Sequence, residues 1–475
     1  MMKITNYSLI LVILTIWFTG CAPAITNTVE KRELALNYTG VGTDSTNIAD
    51  LAWKNYFADT MLNALIDSAM VHNQELNIMR QEIYIAQNEI RARKGEYLPF
   101  VGIRAGADVD KPGEYTWQGS IEKNVDITKG PDVPASLTNL GFGLTASWEL
   151  DIWKKLRNAK AAAVERYLSS IEGRHFAVSN MVAEIAASYY ELVALDNQLA
   201  IIEQNIGIQS DALRIVKIEK EAAKVTQLAI NRFEAQLLNT QNLQYAIRQR
   251  IVETENRIRF LTATRDVVVK RNADAFSLVS PDSLAAGVPS QLLQNRPDIR
   301  QMEYELAASR LDVRSARANF YPAVRIVGGA GLSAFNPTYI FRPESFIFNL
   351  GGDLLAPLVN KNAIQATYNT ASAKQVQAVF KYEQTLLNAF LEVSTVLNGY
   401  QNARKSFETK QKEVDILTQS INISNNLFRF AKADYLEILL TQREALDSRM
   451  ELIEIKLKQT QAKVELYRAL GGGWK

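Results

Sequence analysis

Residues 140–150 read Leu-Gly-Phe-Gly-Leu-Thr-Ala-Ser-Trp-Glu-Leu, apolar at every even position and small or polar at every odd one. Strict alternation over this length is a strand signal, because successive side chains of a strand point to opposite faces. Three further stretches carry the same pattern. Val101, Ile103, Ala105, Ala107 and Val109 alternate with Gly102, Arg104, Gly106, Asp108 and Asp110. Val324, Ile326, Gly328, Ala330 and Leu332 alternate with Arg325, Val327, Gly329, Gly331 and Ser333. Phe346, Phe348, Leu350, Gly352 and Leu354 alternate with Ile347, Asn349, Gly351, Asp353 and Leu355. Two environments suit such strands. One is a soluble antiparallel sheet with a single wet face. The other is a bilayer, which strands of ~9–11 residues cross with lipid on one side and water on the other. In the second case Arg104, Asp108, Asp110, Glu149, Arg325 and Asp353 face an aqueous lumen.

The N-terminus chooses between them. Lys3 precedes an apolar run that ends in Phe18-Thr19-Gly20-Cys21. The run is shorter than the ~20 residues of a transmembrane helix and has the form of a secretory signal, residues 1–20. Its end resembles the bacterial lipobox, and Cys21 is the only cysteine in the chain. Acylation of Cys21 is the expectation, and the absence of Asp beside it is similar to lipoproteins sorted to the outer membrane. In hydrocarbon no strand edge stays unpaired, so a membrane sheet closes into a barrel. Four strands are fewer than the ~8 of the smallest barrels, so copies of the chain must pool strands: two copies give eight and three give twelve.

The remainder reads as helix and is written twice. Setting Pro99 on Pro322 aligns Arg91 with Arg314, Tyr97 with Phe320, Ile103 with Ile326 and Gly106 with Gly329. Further on, Ala223, Lys224, Leu228 and Ile230 match Ala431, Lys432, Leu436 and Ile438. The expected organisation is an extended segment over 21–59, a first repeat over 60–265 and a second over 292–470. A linker over 266–291, rich in Pro, Gly and Ser, joins them, and 471–475 form a tail. The first repeat holds a helix over 60–96, strands at 99–110 and 140–150, and helices at 155–222 and 227–263. The second holds a helix, strands at 322–333 and 346–356, and helices at 362–430 and 435–470. Neither long helix contains proline. In the last helix Leu439, Leu446, Ile453, Thr460 and Tyr467 are spaced by heptads, as are Leu436, Arg443, Met450, Leu457 and Val464. The fold class is therefore mainly α, a long antiparallel coiled-coil cylinder of helices with four strands given to a shared membrane barrel.

Composition removes other classes. With 53 basic and 51 acidic residues the net charge is +2, which gives no electrostatic footprint for nucleic acid. Apart from Cys21, only His72 and His175 offer thiolate or imidazole ligands, too few for a Cys/His cage. No phosphate-binding loop, dinucleotide fingerprint, nucleophile elbow or zinc-protease motif occurs, and no enzyme is expected. The competing reading is a lipid-anchored coiled-coil spacer of the periplasm with soluble sheets. Against it stand two glycine-faced hairpins of bilayer length, for which a spacer has no use.

Three segments carry a resemblance: SWELDIWKKLRNA (147–159), LLQNRPDIRQMEYELAASRLDVRSARANFYPAVRI (292–326) and LYRALGGGW (466–474). In that order they resemble TolC-like outer-membrane efflux factors, of the lipidated branch that serves drug or metal pumps. The resemblance covers almost all of the mature chain. It implies a homotrimer with a twelve-stranded β-barrel above an α-helical tunnel. A mixed equatorial region is formed from the segment after Cys21, the linker and the tail. The implied partners are a periplasmic adaptor (membrane fusion) protein, an inner-membrane transporter of the RND type, and outer-membrane lipid. The chain is then a passive exit duct with no cofactor beyond the lipid on Cys21. By the same resemblance Ala223, Lys224, Val225, Thr226, Ala431, Lys432, Ala433 and Asp434 form adaptor-contacting helix tips. Glu437 keeps the first of two family carboxylates after the second tip and Leu440 replaces the other. That pair implies a periplasmic constriction more apolar than the family's two-acid version.

Overall fold

The computed structural model describes residues 47–122, 136–265, 268–272, 286–357, 359, 361–430 and 432–475. The signal segment, Cys21 and Ala431 lie outside the described residues, as does most of the 266–291 linker. In chain order the helices are α1 (Trp53–Phe57), α2 (Thr60–His72), α3 (Gln74–Tyr97), α4 (Trp117–Glu122), α5 (Lys155–Glu221), α6 (Gln227–Leu261), α7 (Leu292–Asn295), α8 (Pro297–Ala318), α9 (Asn362–Arg429) and α10 (Tyr435–Ala469). The strands are β1 (Phe100–Asp110), β2 (Leu137–Leu150), β3 (Ala323–Ala334) and β4 (Phe346–Leu355). Each hairpin follows a proline, Pro99 or Pro322, where the missing donor and the extended bias on the preceding residue end the helix.

Two compact units divide the described residues, and neither is one of the repeats. One is drawn from Tyr84–Leu168 and Tyr304–Phe380. It contains the sheet, ordered β1-β2-β3-β4 and antiparallel throughout. β2 begins three residues before the alternation that marks it, because Leu137, Thr138 and Asn139 pair with Asp110, Val109 and Asp108. At the helix end of this unit Trp153 stacks on Tyr321 at 4.6 Å and donates its Nε1 proton to the Pro322 carbonyl at 2.9 Å. Ser315 donates to the Lys155 carbonyl at 2.9 Å, and Arg166 pairs with Asp312. These contacts tie α5 of the first repeat to α8 of the second.

The other unit is drawn from Lys31–Ile83, Ser169–Glu303 and Lys381–Lys475. Its core packs Tyr56, Phe57, Leu62 and Ile66 against Ile185, Tyr189 and Tyr190 of α5, Ile258 of α6 and Tyr467 of α10. Tyr56 stacks on Tyr467 at 4.2 Å and donates to the Lys463 carbonyl at 2.8 Å. Tyr189 donates to Asp59 at 2.8 Å, and the other oxygen of that carboxylate caps α2 by accepting from the Met61 and Leu62 amides. Burial pushes the Tyr56 and Tyr190 hydroxyls well above the usual tyrosine range, so both stay protonated.

Two helical readings need correction: the end of the segment expected to be extended over 21–59 folds into α1, and the first expected helix is broken. Residues 60–96 form two helices, not one, and the break is Asn73. Its side chain accepts from the Leu76 amide at 3.0 Å, starting α3, and donates to the Leu261 carbonyl at 2.8 Å, sealing the end of α6. Asn73→Ala is expected to destabilise the protein by about 1–2 kcal/mol, since it removes a helix cap and strands a buried carbonyl. Asn73→Asp keeps the cap but turns an acceptor onto the Leu261 carbonyl at a buried position, so it should cost at least as much. Denaturant unfolding in detergent measures both, and equal stability of Asn73→Ala and the parent would contradict the assignment.

Candidate functional site

The strand register decides what the sheet offers its surroundings. Cross-strand partners share a face. Glu149 is opposite Arg325, and Arg325 is opposite Asp353. Arg104 is opposite Gly143, Gly143 opposite Gly331, and Gly331 opposite Ile347. Asp108 and Asp110 are opposite Asn139 and Leu137. All six charged residues expected to face water therefore fall on one face, with glycines between them. The opposite face is built from the apolar sets of all four strands. Ile103 is 72% exposed there and Leu350 80%, far beyond what a soluble sheet leaves open.

Charge is distributed unevenly on the polar face. At the helix end Lys155 pairs with Glu149 at 3.0 Å, and Arg325 approaches the same carboxylate at 3.8 Å. At the loop end Asn139 donates to Asp108 at 3.4 Å. Aromatic residues mark both ends. Trp148, Tyr97, Trp153 and Tyr321 lie at the helix end, where Trp148 donates to the Tyr97 carbonyl at 3.1 Å. Phe335, Tyr339 and Phe341 lie at the other, with the Arg342 guanidinium over the Tyr339 ring at 4.6 Å. An apolar band between two aromatic girdles is the outer surface of a membrane barrel.

Two glycines set how closely the hairpins approach. A Cβ built on Gly143 would lie 2.7 Å from the Gly331 Cα, and one built on Gly331 would lie 2.6 Å from the Gly143 Cα. The sequence marks both only as small members of an alternating pattern; their mutual contact needs the register. Among the described residues the outer edges of β1 and β4 have no strand partner. No helix among them is long and apolar enough to cross a membrane.

The helix-to-helix turns repeat each other. After α5, Ala223 takes φ +54°, and the Lys224 amide donates to the Glu219 carbonyl at 2.9 Å. After α9, the Lys432 amide donates to the Leu427 carbonyl at 2.8 Å, the same six-residue closure of a helix C-terminus. Val225 packs with Leu213, Val216 and Phe233; Tyr435 and Leu439 of α10 join the same cluster. Thr226 and Asp434 are the N-cap positions of α6 and α10. Ala433 is half-buried; Lys224, Lys432 and Glu437 are exposed, and Leu440 is 48% exposed while neighbouring Leu439 is 8%. The start and the end of the second repeat meet in the other unit. Arg296, 5% exposed, donates to both oxygens of Asp298, to Glu392 at 2.6 Å and to the Ala469 carbonyl at 2.7 Å. Burial alone would lower the Arg296 pKa, but the bonds to Asp298 and the nearby carboxylates outweigh it, and the net shift is upward. Trp474 stacks on His175 at 4.6 Å and donates to the Asn295 carbonyl at 3.2 Å.

The family model described as outer membrane efflux protein matches residues 65–264 and 288–472, interrupted only across the linker. The chain belongs to this family. It is an efflux protein of the outer membrane. Among its relatives, the cation efflux system protein CusC of Escherichia coli O6:H1 is 25% identical over 447 residues, 93% of each chain. The pyoverdine export outer membrane protein OpmQ of Pseudomonas aeruginosa is 27% identical over 479 residues, covering 100% of this efflux protein and 98% of OpmQ. The fold matches the crystal structure of the open state of the Neisseria gonorrhoeae MtrE outer membrane channel with a TM-score of 0.83. That likeness spans 96% of this chain and 99% of the other at 20% identity.

Proposed function

We propose that this chain is the exit duct of a tripartite efflux system. Three copies close their sheets into one twelve-stranded barrel, and their helices form a tunnel reaching into the periplasm. The tunnel docks on a periplasmic adaptor protein and, through it, on an inner-membrane transporter of the RND type. One observation carries this reading: a sheet with an exposed apolar face, a glycine-and-charge face and two unpaired edges, β1 and β4. Each unpaired backbone group in hydrocarbon costs several kcal/mol. Joining β4 of one copy to β1 of the next removes both edges together, and repetition closes the ring. The duct is passive; the transporter supplies energy and selects the cargo. Relatives named for cation efflux and pyoverdine export support a small-solute cargo, metal ions or organic compounds.

Cys21, in this proposal, carries the acyl chains that anchor the mature chain. The turns at Ala223–Thr226 and 431–434 meet the adaptor. Glu437 and Leu440, exposed beside the buried Leu439, form the constriction at the tunnel mouth. The test uses the full-length protein with Cys21→Ser, which cannot be acylated. It is expected to remain detergent-dependent and trimeric and to conduct ions in a planar bilayer. A water-soluble, non-conducting Cys21→Ser protein would instead establish the spacer. In the conducting protein Leu440→Ser should raise single-channel conductance, because a polar side chain relieves an apolar constriction; unchanged conductance would remove Leu440 from the gate.

A further inference from the structure

The polar face of the sheet carries its charges in three bands, and the middle one is a single residue. Glu149, Lys155, Arg325 and Asp353 balance one another at the helix end, and Asp108 and Asp110 lie at the loop end. Between them stands Arg104, the fifth residue of the eleven in β1. Its row across the sheet continues through Gly143 and Gly331 to Ile347. The rows on either side are Gly102, Thr145, Gly329 and Asn349, and Gly106, Gly141 and Ser333, none of them charged. A side chain added at Gly106 or Gly141 would meet nothing within 4 Å, so the space around the guanidinium is open. Among the described residues Arg104 has no hydrogen bond or ion pair, and it is exposed.

Its isolation follows from the register. The nearest charged position on that face, Asp108, is four residues along the strand, ~13 Å away at ~3.3 Å per residue. Glu149, Arg325, Asp353 and Asp110 are each six rows away, ~20 Å. At 0.1 M salt the screening length is ~10 Å, so no acid on the face neutralises this cation. An uncompensated arginine surrounded by glycines and by the uncharged Thr145, Ser333, Asn349 and Ile347 is not needed for packing, and its fork of donors suits carboxylate and phosphate groups.

We propose that Arg104 sets the charge preference of the barrel, a cationic waist that favours anionic solutes in transit. The proposal rests on the shared-barrel reading above, in which three copies of Arg104 line one ring. The experiment is the chloride-to-potassium permeability ratio of the trimer in a planar bilayer, measured from the reversal potential in a KCl gradient near 100 mM. The screening length there, ~10 Å, keeps the acids of the face from compensating Arg104, and the ratio is expected to fall about threefold in Arg104→Ala. It should fall further in Arg104→Glu and stay near the parent value in Arg104→Lys, which keeps the charge. In 1 M KCl the differences should vanish, because the screening length shrinks to ~3 Å. Equal ratios for the parent and a conducting Arg104→Ala trimer at 100 mM would overturn the proposal and leave the barrel intact. Absence of any conductance in the parent would overturn the barrel reading and this inference with it.

Discussion

Arg296→Met is expected to cost the protein about 3–5 kcal/mol, the range for removing one member of a buried ion-pair network. The guanidinium forks onto both oxygens of Asp298, at 3.0 and 2.7 Å, and its Nη1 reaches Glu392 and the last carbonyl of α10. Methionine fills the space but leaves two carboxylates and a carbonyl facing each other. Lysine restores charge without the planar fork and should recover less than half of the loss. Arg468 cannot substitute, since it is already engaged with Glu392, Glu465 and Asn180. Denaturant unfolding in detergent is the measurement. Most of the penalty should persist in 1 M salt, because buried and partly buried pairs are screened much less than exposed ones. A change below about 0.5 kcal/mol, the size of an ordinary surface substitution, would mean that Arg296 does not hold α8, α9 and α10 together.

Gly331→Val should prevent the sheet from forming. The new Cβ would lie 2.6 Å from the Gly143 Cα and would also press on the Phe142 carbonyl. Those atoms are backbone and cannot rotate away; only separation of β2 from β3 relieves the clash, and that opens the ladder joining the two hairpins. The cost exceeds the ~1–3 kcal/mol of ordinary overpacking. Gly143→Val should behave alike, since its Cβ meets the Gly331 Cα and the Ala330 carbonyl at 2.7 Å. Gly141→Val is the control: it changes the same strand and face but meets nothing within 4 Å. Membrane-inserted trimer, quantified after detergent extraction, should be lost in the first two and kept in the third. Equal yields of Gly331→Val and Gly141→Val would refute the close approach.

These residues also mark where the sequence stops being informative. Period-2 alternation identified all four strands and which side chains share a face, because facing is a local property of the chain. It does not say which strand lies beside which, so the Gly143–Gly331 contact was invisible. Proline-free length marked α5 and α9, and observed ends at Glu221 and Arg429 fall within one residue of those read from the sequence. Asn73 was missed because apolar periodicity runs through it, although Asn followed by Glu75 is a helix-start signal. Arg296 sits in a segment singled out by family resemblance. Its role depends on partners 96 and 173 positions away, and nothing local in Asn-Arg-Pro-Asp announces a buried cation.

The pairing of β2 with β3 has a kinetic consequence. It joins Leu140 to Ala334 and Leu150 to Val324, so the centre of the sheet closes a loop of well over a hundred residues. Contacts this distant are slow to form. The first hairpin is synthesised long before its partner exists, and it must cross an aqueous compartment with a hydrophobic face and open hydrogen-bonding margins. Such a chain carries exposed apolar surface until its last-made half arrives, and its assembly waits on that half.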